Sequence, residues 1–98
     1  MIEDIELIGL DEDLLEEMKQ VLSYDNLLNL ACNYKNVKES IELLKSYGIK
    51  NINELILNRH YIFLKGKEKL SLEFSKFDIK TFVALINEDY TTIDELRG

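Results

Sequence analysis

The groups able to do chemistry in this 98-residue chain are few. Cys32 is its single cysteine and His60 its single histidine. They could form a thiolate–imidazole pair, but they cannot assemble a Cys/His metal site within one chain. Cys32 lies among Leu28, Leu30 and Ala31 in a helical pattern, the usual setting of a small buried residue. His60 falls at a helix end, where it can meet terminal carbonyls. Carboxylates are plentiful, with adjacent pairs at Glu16-Glu17, Glu88-Asp89 and Asp94-Glu95. A general acid or base needs a cleft that moves its pKa, whereas neighbouring acids on a short helix are normally solvated. The acid spacing over residues 11–17 lacks the glycine and closing glutamate of an EF-hand loop, and the four glycines are too scattered for a phosphate-cradling loop. These residues predict no catalytic site, no metal and no cofactor.

Two charged surfaces remain. The first is cationic: Arg59, Lys65, Lys67 and Lys69, extended by Lys76 and Lys80, with Tyr61 beside them. Lysines flanking the turn at Gly66 could converge on phosphate oxygens while Tyr61 stacks on a base, the arrangement of a nucleic-acid surface. The same lysines could equally be solubilising, since six acids share residues 35–80. The second surface is acidic: Asp11, Glu12, Asp13, Glu16 and Glu17 on the outside of an apolar stripe running from Leu14 to Leu22. It could face water over the protein's own core or meet a basic protein partner, with charge governing encounter. The formal net charge of −7 is unevenly spread: residues 1–20 sum to −7 and residues 35–80 to +4. A net anionic molecule repels a polyanion, which disfavours nucleic acid as the partner.

The elements that must position these groups are short amphipathic helices. Leu14, Leu15, Met18, Val21 and Leu22 form one stripe, with Asp11 or Asp13 as its cap; Leu27, Leu30, Ala31 and Tyr34 continue after a break at residues 23–25. Asn36 with Glu39 resembles a capping box before Val37, Ile41, Leu44 and Tyr47, and Gly48 sits where a left-handed cap is wanted. Asn51 with Glu54 repeats the start signal before Ile52, Leu55 and Ile56. Residues 61–64 predict a buried helix end or short irregular segment, and residues 65–67 a turn. Leu70, Phe74 and Phe77 mark a further helix; Ile79, Phe82, Val83 and Ile86 mark the next, capped by Asp78, and a last short helix starts at Thr91 or Thr92.

One junction recurs three times: Ile5-x-x-Ile8-Gly9-Leu10, Leu44-x-x-Tyr47-Gly48-Ile49 and Phe74-x-x-Phe77-Asp78-Ile79. The second and third copies stand 30 residues apart, and Ile52, Leu55 and Ile56 match Phe82, Leu85 and Ile86 at the same offset. A period of that length predicts stacked helical units that bury their apolar faces on one another. Over residues 37–96, the phrase Leu43-Leu44-Lys45-Ser46-Tyr47-Gly48-Ile49, then Ile52, Leu55, Ile56 and Phe63-Leu64, resembles the helical repeats of the mitochondrial transcription termination factor family. Residues 70–86 look like the start of a second repeat. The resemblance implies a curved stack of two units; Arg59-His60 stands where those repeats carry a proline. Residues 47–51, Tyr-Gly-Ile-Lys-Asn, are similar to a helix-hairpin-helix turn, with Lys50 at the place of its second glycine.

The expected protein is thus a single all-α domain over residues 1–98, with six or seven short helices stacked as a compact helical-repeat-like bundle. Its acidic start lacks the basic and apolar features of a secretory signal, and no apolar run approaches the roughly 20 residues of a membrane span. The expected location is cytoplasmic. The expected role is a non-catalytic protein-interaction or regulatory module, with a protein partner or a second copy as ligand; the alternative is a nucleic-acid-binding module using the lysine-rich surface over residues 59–80.

Overall fold

The computed structural model describes residues 2–96, which fold into six α-helices and three 3-10 segments with no strand among them. The helices are α1 (Glu12–Val21), α2 (Tyr24–Cys32), α3 (Tyr34–Ser46), α4 (Ile52–Arg59), α5 (Lys67–Phe74) and α6 (Ile79–Glu88). The 3-10 segments are Ile2–Ile8, His60–Leu64 and Tyr90–Glu95. The radius of gyration is 12.9 Å, close to the roughly 13 Å of a compact chain of this length.

The 30-residue offset has a structural counterpart. The order helix, turn, helix, 3-10 segment runs once through α3, α4 and His60–Leu64, and again through α5, α6 and Tyr90–Glu95. Leu44 and Phe74, Ile52 and Phe82, Ile56 and Ile86, and Phe63 and Ile93 are all buried at matching places. Removing one large apolar side chain from water in this way is worth about 1.5–3 kcal/mol, so these pairs are the main cohesion of each unit. One pair breaks the match: Leu55 is 0% exposed and Leu85 47%.

The units are joined by rings and amides. Phe74 packs between Tyr47 and Phe82, with ring centroids 4.9 and 5.3 Å away, and Phe77 stacks on Phe82 at 4.2 Å. Asn87 on α6 accepts the Lys50 N–H at 2.8 Å and donates to the Gly48 carbonyl at 3.0 Å. Asn51 donates to the Ile86 carbonyl at 2.8 Å. The N-terminal helices also pack on the central unit, α1 against α4 and the 2–8 segment against α2 and α3.

Gly48 ends α3 as its sequence context predicts, at φ +95°. The Ile49 N–H donates to the Leu44 carbonyl and the Gly48 N–H to the Lys45 carbonyl, at 3.1 and 3.0 Å. That pair of bonds is a complete Schellman motif, with Ile49 buried over the turn. The three matching junctions do not share this backbone. Gly9 also has positive φ, but it leaves a 3-10 segment. Asp78 is extended, because α5 unwinds through tight turns in which Lys76 and Phe77 donate to Glu73 and Phe74. A residue with a Cβ avoids the left-handed region, so the chain turns by another route.

Several local expectations need correction. α3 starts at Tyr34, so Asn36 is not a cap; its amide donates to the Leu64 carbonyl at 3.3 Å. Asp11, Asn51 and Asp78 occupy cap positions without a side-chain capping bond, and Asp78 instead accepts from the Thr81 hydroxyl at 2.9 Å. The break at residues 23–25 is a true cap, Ser23 accepting the Asn26 N–H at 3.1 Å. The last segment starts at Tyr90, one turn residue earlier than expected, because Asp89 accepts the Thr91 N–H. Val21 is exposed, since α1 ends there and Leu22 departs in extended conformation. Cys32 is exposed too: it lies about 140° around α2 from Leu27, away from the stripe of Leu27, Leu30 and Ala31.

Candidate functional site

The cationic candidates divide into two sets. Arg59, Tyr61 and Lys65 line one cleft together with Ile62, Ile93, Asp94 and Leu96. Both cations in it are already engaged. Arg59 meets Asp94 through two bonds, Nε to Oδ1 at 2.7 Å and a terminal nitrogen to Oδ2 at 3.0 Å. Its other terminal nitrogen donates to the Asn58 carbonyl, and its guanidinium carbon lies 5.5 Å from the Tyr90 ring centre. The hydrogen bond that Arg59 donates to Asp94 is the main cause raising the Arg59 pKa further above its ordinary range. Lys65 donates to Glu73 Oε1 at 2.6 Å, with only 17% and 6% of the two side chains exposed. Cleft and ion pairs together carry no surplus of positive charge.

Lys67, Lys69, Lys76 and Lys80 are exposed. Lys67 and Lys69 stand two residues apart on α5, about 200° around the axis, and so project to different sides. Lys67 lines depressions beside Glu39, Glu42 and Glu68. Lys69 shares its stripe with Leu72, which is 68% exposed, and Lys76 lies in the turns beyond the end of α5. The seven cationic-surface candidates are therefore not one convergent patch. The helix-hairpin-helix-like turn is likewise occupied, since the Lys50 N–H donates to Asn87 rather than to solvent.

The acidic candidates are all exposed, Asp11 at the cap position and Glu12, Asp13, Glu16 and Glu17 on α1, whose buried stripe is Leu14 and Met18. Glu16 pairs loosely with Lys19 at 3.7 Å, both side chains being well exposed. Near them Val21 and Tyr24 are 60% and 63% exposed.

Ser40 and Glu73 escape any reading of the sequence. Ser40 is fully buried; its hydroxyl donates to the Phe63 carbonyl and accepts the Gly66 N–H, both at 3.1 Å. With Asn36 and the Lys65–Glu73 pair it fixes the backbone of residues 63–66, where Gly66 has φ +84°. Glu73 Oε2 is buried without a hydrogen-bond partner. A serine and a glutamate at polar-looking positions give no sign of burial; only the positive φ available to Gly66 hinted at a tight loop.

His60 packs edge-on to Tyr61 at 6.0 Å, and partial burial lowers its pKa from the usual 6.5. Cys32 lines a separate depression with residues 33–36, so the two nucleophile candidates do not meet there. Among the described residues no group of three or more His, Cys, Asp or Glu is placed to hold a metal ion, and no helix is long and apolar enough to cross a membrane. Comparison with protein-family models, curated proteins and solved structures finds no match to this chain.

Proposed function

We propose that this protein is a non-catalytic interaction module, a short helical stack whose terminal unit docks a protein. One observation carries the reading. Leu55 in the central unit is fully buried, while Leu85, its counterpart in the terminal unit, is 47% exposed. In a stack each unit buries its apolar face on a neighbour, and among the described residues none covers Leu85 as Leu55 is covered. α6 presents Lys80, Thr81, Ala84, Leu85 and Glu88 on that outer side, all exposed. An apolar centre with a polar surround is the anatomy of a protein-binding patch. The engagement of Arg59 and Lys65 by Asp94 and Glu73 weakens the competing nucleic-acid reading.

Two measurements test the proposal. A photo-crosslinking amino acid in place of Leu85 should give a discrete protein adduct in the producing cells, and one in place of the exposed Lys38 on α3 should not. Fluorescence anisotropy with short single- and double-stranded DNA and RNA should detect no binding at low salt. Binding that falls steeply with salt would establish phosphate contacts and overturn the reading; so would the absence of any adduct at position 85.

A further inference from the structure

We infer that the groove between the N-terminal 3-10 segment and α1 docks a basic segment of another protein, with one large apolar side chain entering it and lysine or arginine on either side. The groove is lined by Ile2, Glu3, Ile5 and Glu6 from the 3-10 segment and by Leu15 and Lys19 from α1. With three residues per turn, Ile2 and Ile5 form one row of the 3-10 segment and Glu3 and Glu6 the next. Leu15 and Lys19 are one turn apart on the same side of α1. Ile5 is buried, but Ile2 and Leu15 are only half-buried. A side chain laid between them would remove further apolar surface from water. The volume of about 310 Å³ lies at the low end of the range for binding pockets, about 300–1,000 Å³.

Charge selects the occupant. Glu3 and Glu6 line one wall, both exposed. On the other wall Glu12 lies about 20° around α1 from Lys19 and Glu16 about 60°, and both are exposed. Lys19, the single cation among the described lining residues, is met by Glu16 at 3.7 Å. The surrounding field has the same sign, since residues 1–20 carry eight acids against one lysine. Glu3 and Glu6 stand about 6 Å apart along their segment, and so do Glu12 and Glu16 along theirs. Acids repeated on two walls around an apolar floor call for several cations held in register with one apolar side chain. A polypeptide supplies that combination and a simple amine does not. Nucleic acid is repelled by the same acids. Asp13 and Glu17 take no part: each stands two residues from Leu15, about 160° around the helix. The groove is a second site, independent of the patch at Leu85.

Selection of random phage-displayed peptides on the intact protein tests this without a prior choice of sequence. The recovered peptides should carry a large aliphatic or aromatic residue flanked by lysine or arginine. Fluorescence anisotropy with the commonest of them, synthesised and labelled, then locates the site. Glu3→Lys with Glu6→Lys should weaken binding at least about tenfold, and raising salt from about 0.1 to about 1 M should also weaken it. Asp13→Lys with Glu17→Lys makes the same change of net charge at exposed positions on the far side of α1, and should cost less than about threefold. Leu15→Ser should weaken binding about tenfold with the helical circular dichroism unchanged, and Leu85→Glu should leave binding unaltered. Recovery of no peptide, or of peptides without the basic and apolar pattern, overturns the assignment. So do equal losses from the two charge-reversed pairs, or binding indifferent to Leu15→Ser. Loss at Leu85→Glu instead would give the peptide to the α6 patch, ending this assignment while the docking role of α6 stands. Sedimentation velocity covers the remaining occupant: a wild-type dimer abolished by Glu3→Lys with Glu6→Lys would give the groove to a second copy and overturn the assignment too.

Discussion

Ser40→Ala is the sharpest test of how the central unit is held together. The hydroxyl is fully buried and makes two bonds of 3.1 Å, donating to the Phe63 carbonyl and accepting from the Gly66 N–H. Alanine fills nearly the same space, so the substitution removes hydrogen bonding with little change in packing. It leaves one buried acceptor and one buried donor without that partner, at about 1–3 kcal/mol each. The expected loss is about 2–6 kcal/mol, a large part of the about 5–15 kcal/mol that holds a domain of this kind. Urea unfolding followed by circular dichroism reads the loss directly, and a melting-temperature drop of at least about 10 °C should accompany it. Amide exchange gives a local readout: the Gly66 N–H should be protected in the wild type and fast in the variant. Asn36→Ala, which removes one longer bond at an exposed site, should stay within about 0.5 kcal/mol. A Ser40→Ala protein within that same margin, with Gly66 still protected, would refute the account of the 63–66 backbone.

Gly48→Ala should destabilise by about 1 kcal/mol in chemical unfolding, because the residue sits at φ +95° while the nearest atom to an added Cβ, on Val83, is a comfortable 4.0 Å away; a neutral result would deny the cap its backbone role. Lys65→Met should cost about 3–5 kcal/mol by leaving the buried Glu73 side chain without its partner, and Lys65→Met with Glu73→Leu should recover most of it. Equal stability of the single and double variants would show that the pair is not what the burial demands. Burial lowers the His60 pKa below its unfolded 6.5, so the neutral form favours folding: that stability is complete above about pH 6.5 and declines as the pH falls toward the folded value. His60→Gln should flatten the slope of melting temperature across that window, and an unchanged slope would assign it to other groups. Leu55→Ala should cost about 2–5 kcal/mol and Leu85→Ala under about 1 kcal/mol in dilute monomer; similar losses at the two sites would mean that α6 is covered as α4 is.

What could be read from the sequence was whatever rests on apolar spacing. The stripe of Val37, Ile41 and Leu44 and the stripe of Phe82, Val83 and Ile86 repeat with a helix's period, and both are buried. Gly48 was legible because a glycine after Tyr47 and before buried Ile49 has one cheap conformation. Spacing says nothing about which end of a helix has a neighbour. Val21 continues the stripe of Leu14 and Met18 and Leu85 repeats Leu55, yet both are exposed. Nor does composition distinguish a lysine in water from one in an ion pair. Lys65 and Lys67 look alike on either side of Gly66, but Glu73, eight residues on, reaches only the first. Long-range polar bonds such as Ser40 to Phe63, Asn87 to Lys50 and Arg59 to Asp94 follow from packing that the helices must first create.

Those same polar bonds decide where the molecule is free to act. Residues 48–51 and 63–66 present backbone and lysine groups that could have held an anion, and both stretches are closed by the chain's own side chains: Asn87 at the first, Ser40, Asn36 and Glu73 at the second. These bonds tie the 48–51 turn to α6 and the 63–66 loop to α3 and α5. Apolar surface remains exposed at Val21, Tyr24, Leu72 and Leu85. A water-exposed leucine loses most of the hydrophobic stabilisation that its counterpart gains by burial. At Leu85 that stabilisation is forgone among the described residues, which is why Leu85→Ala should cost so much less than Leu55→Ala.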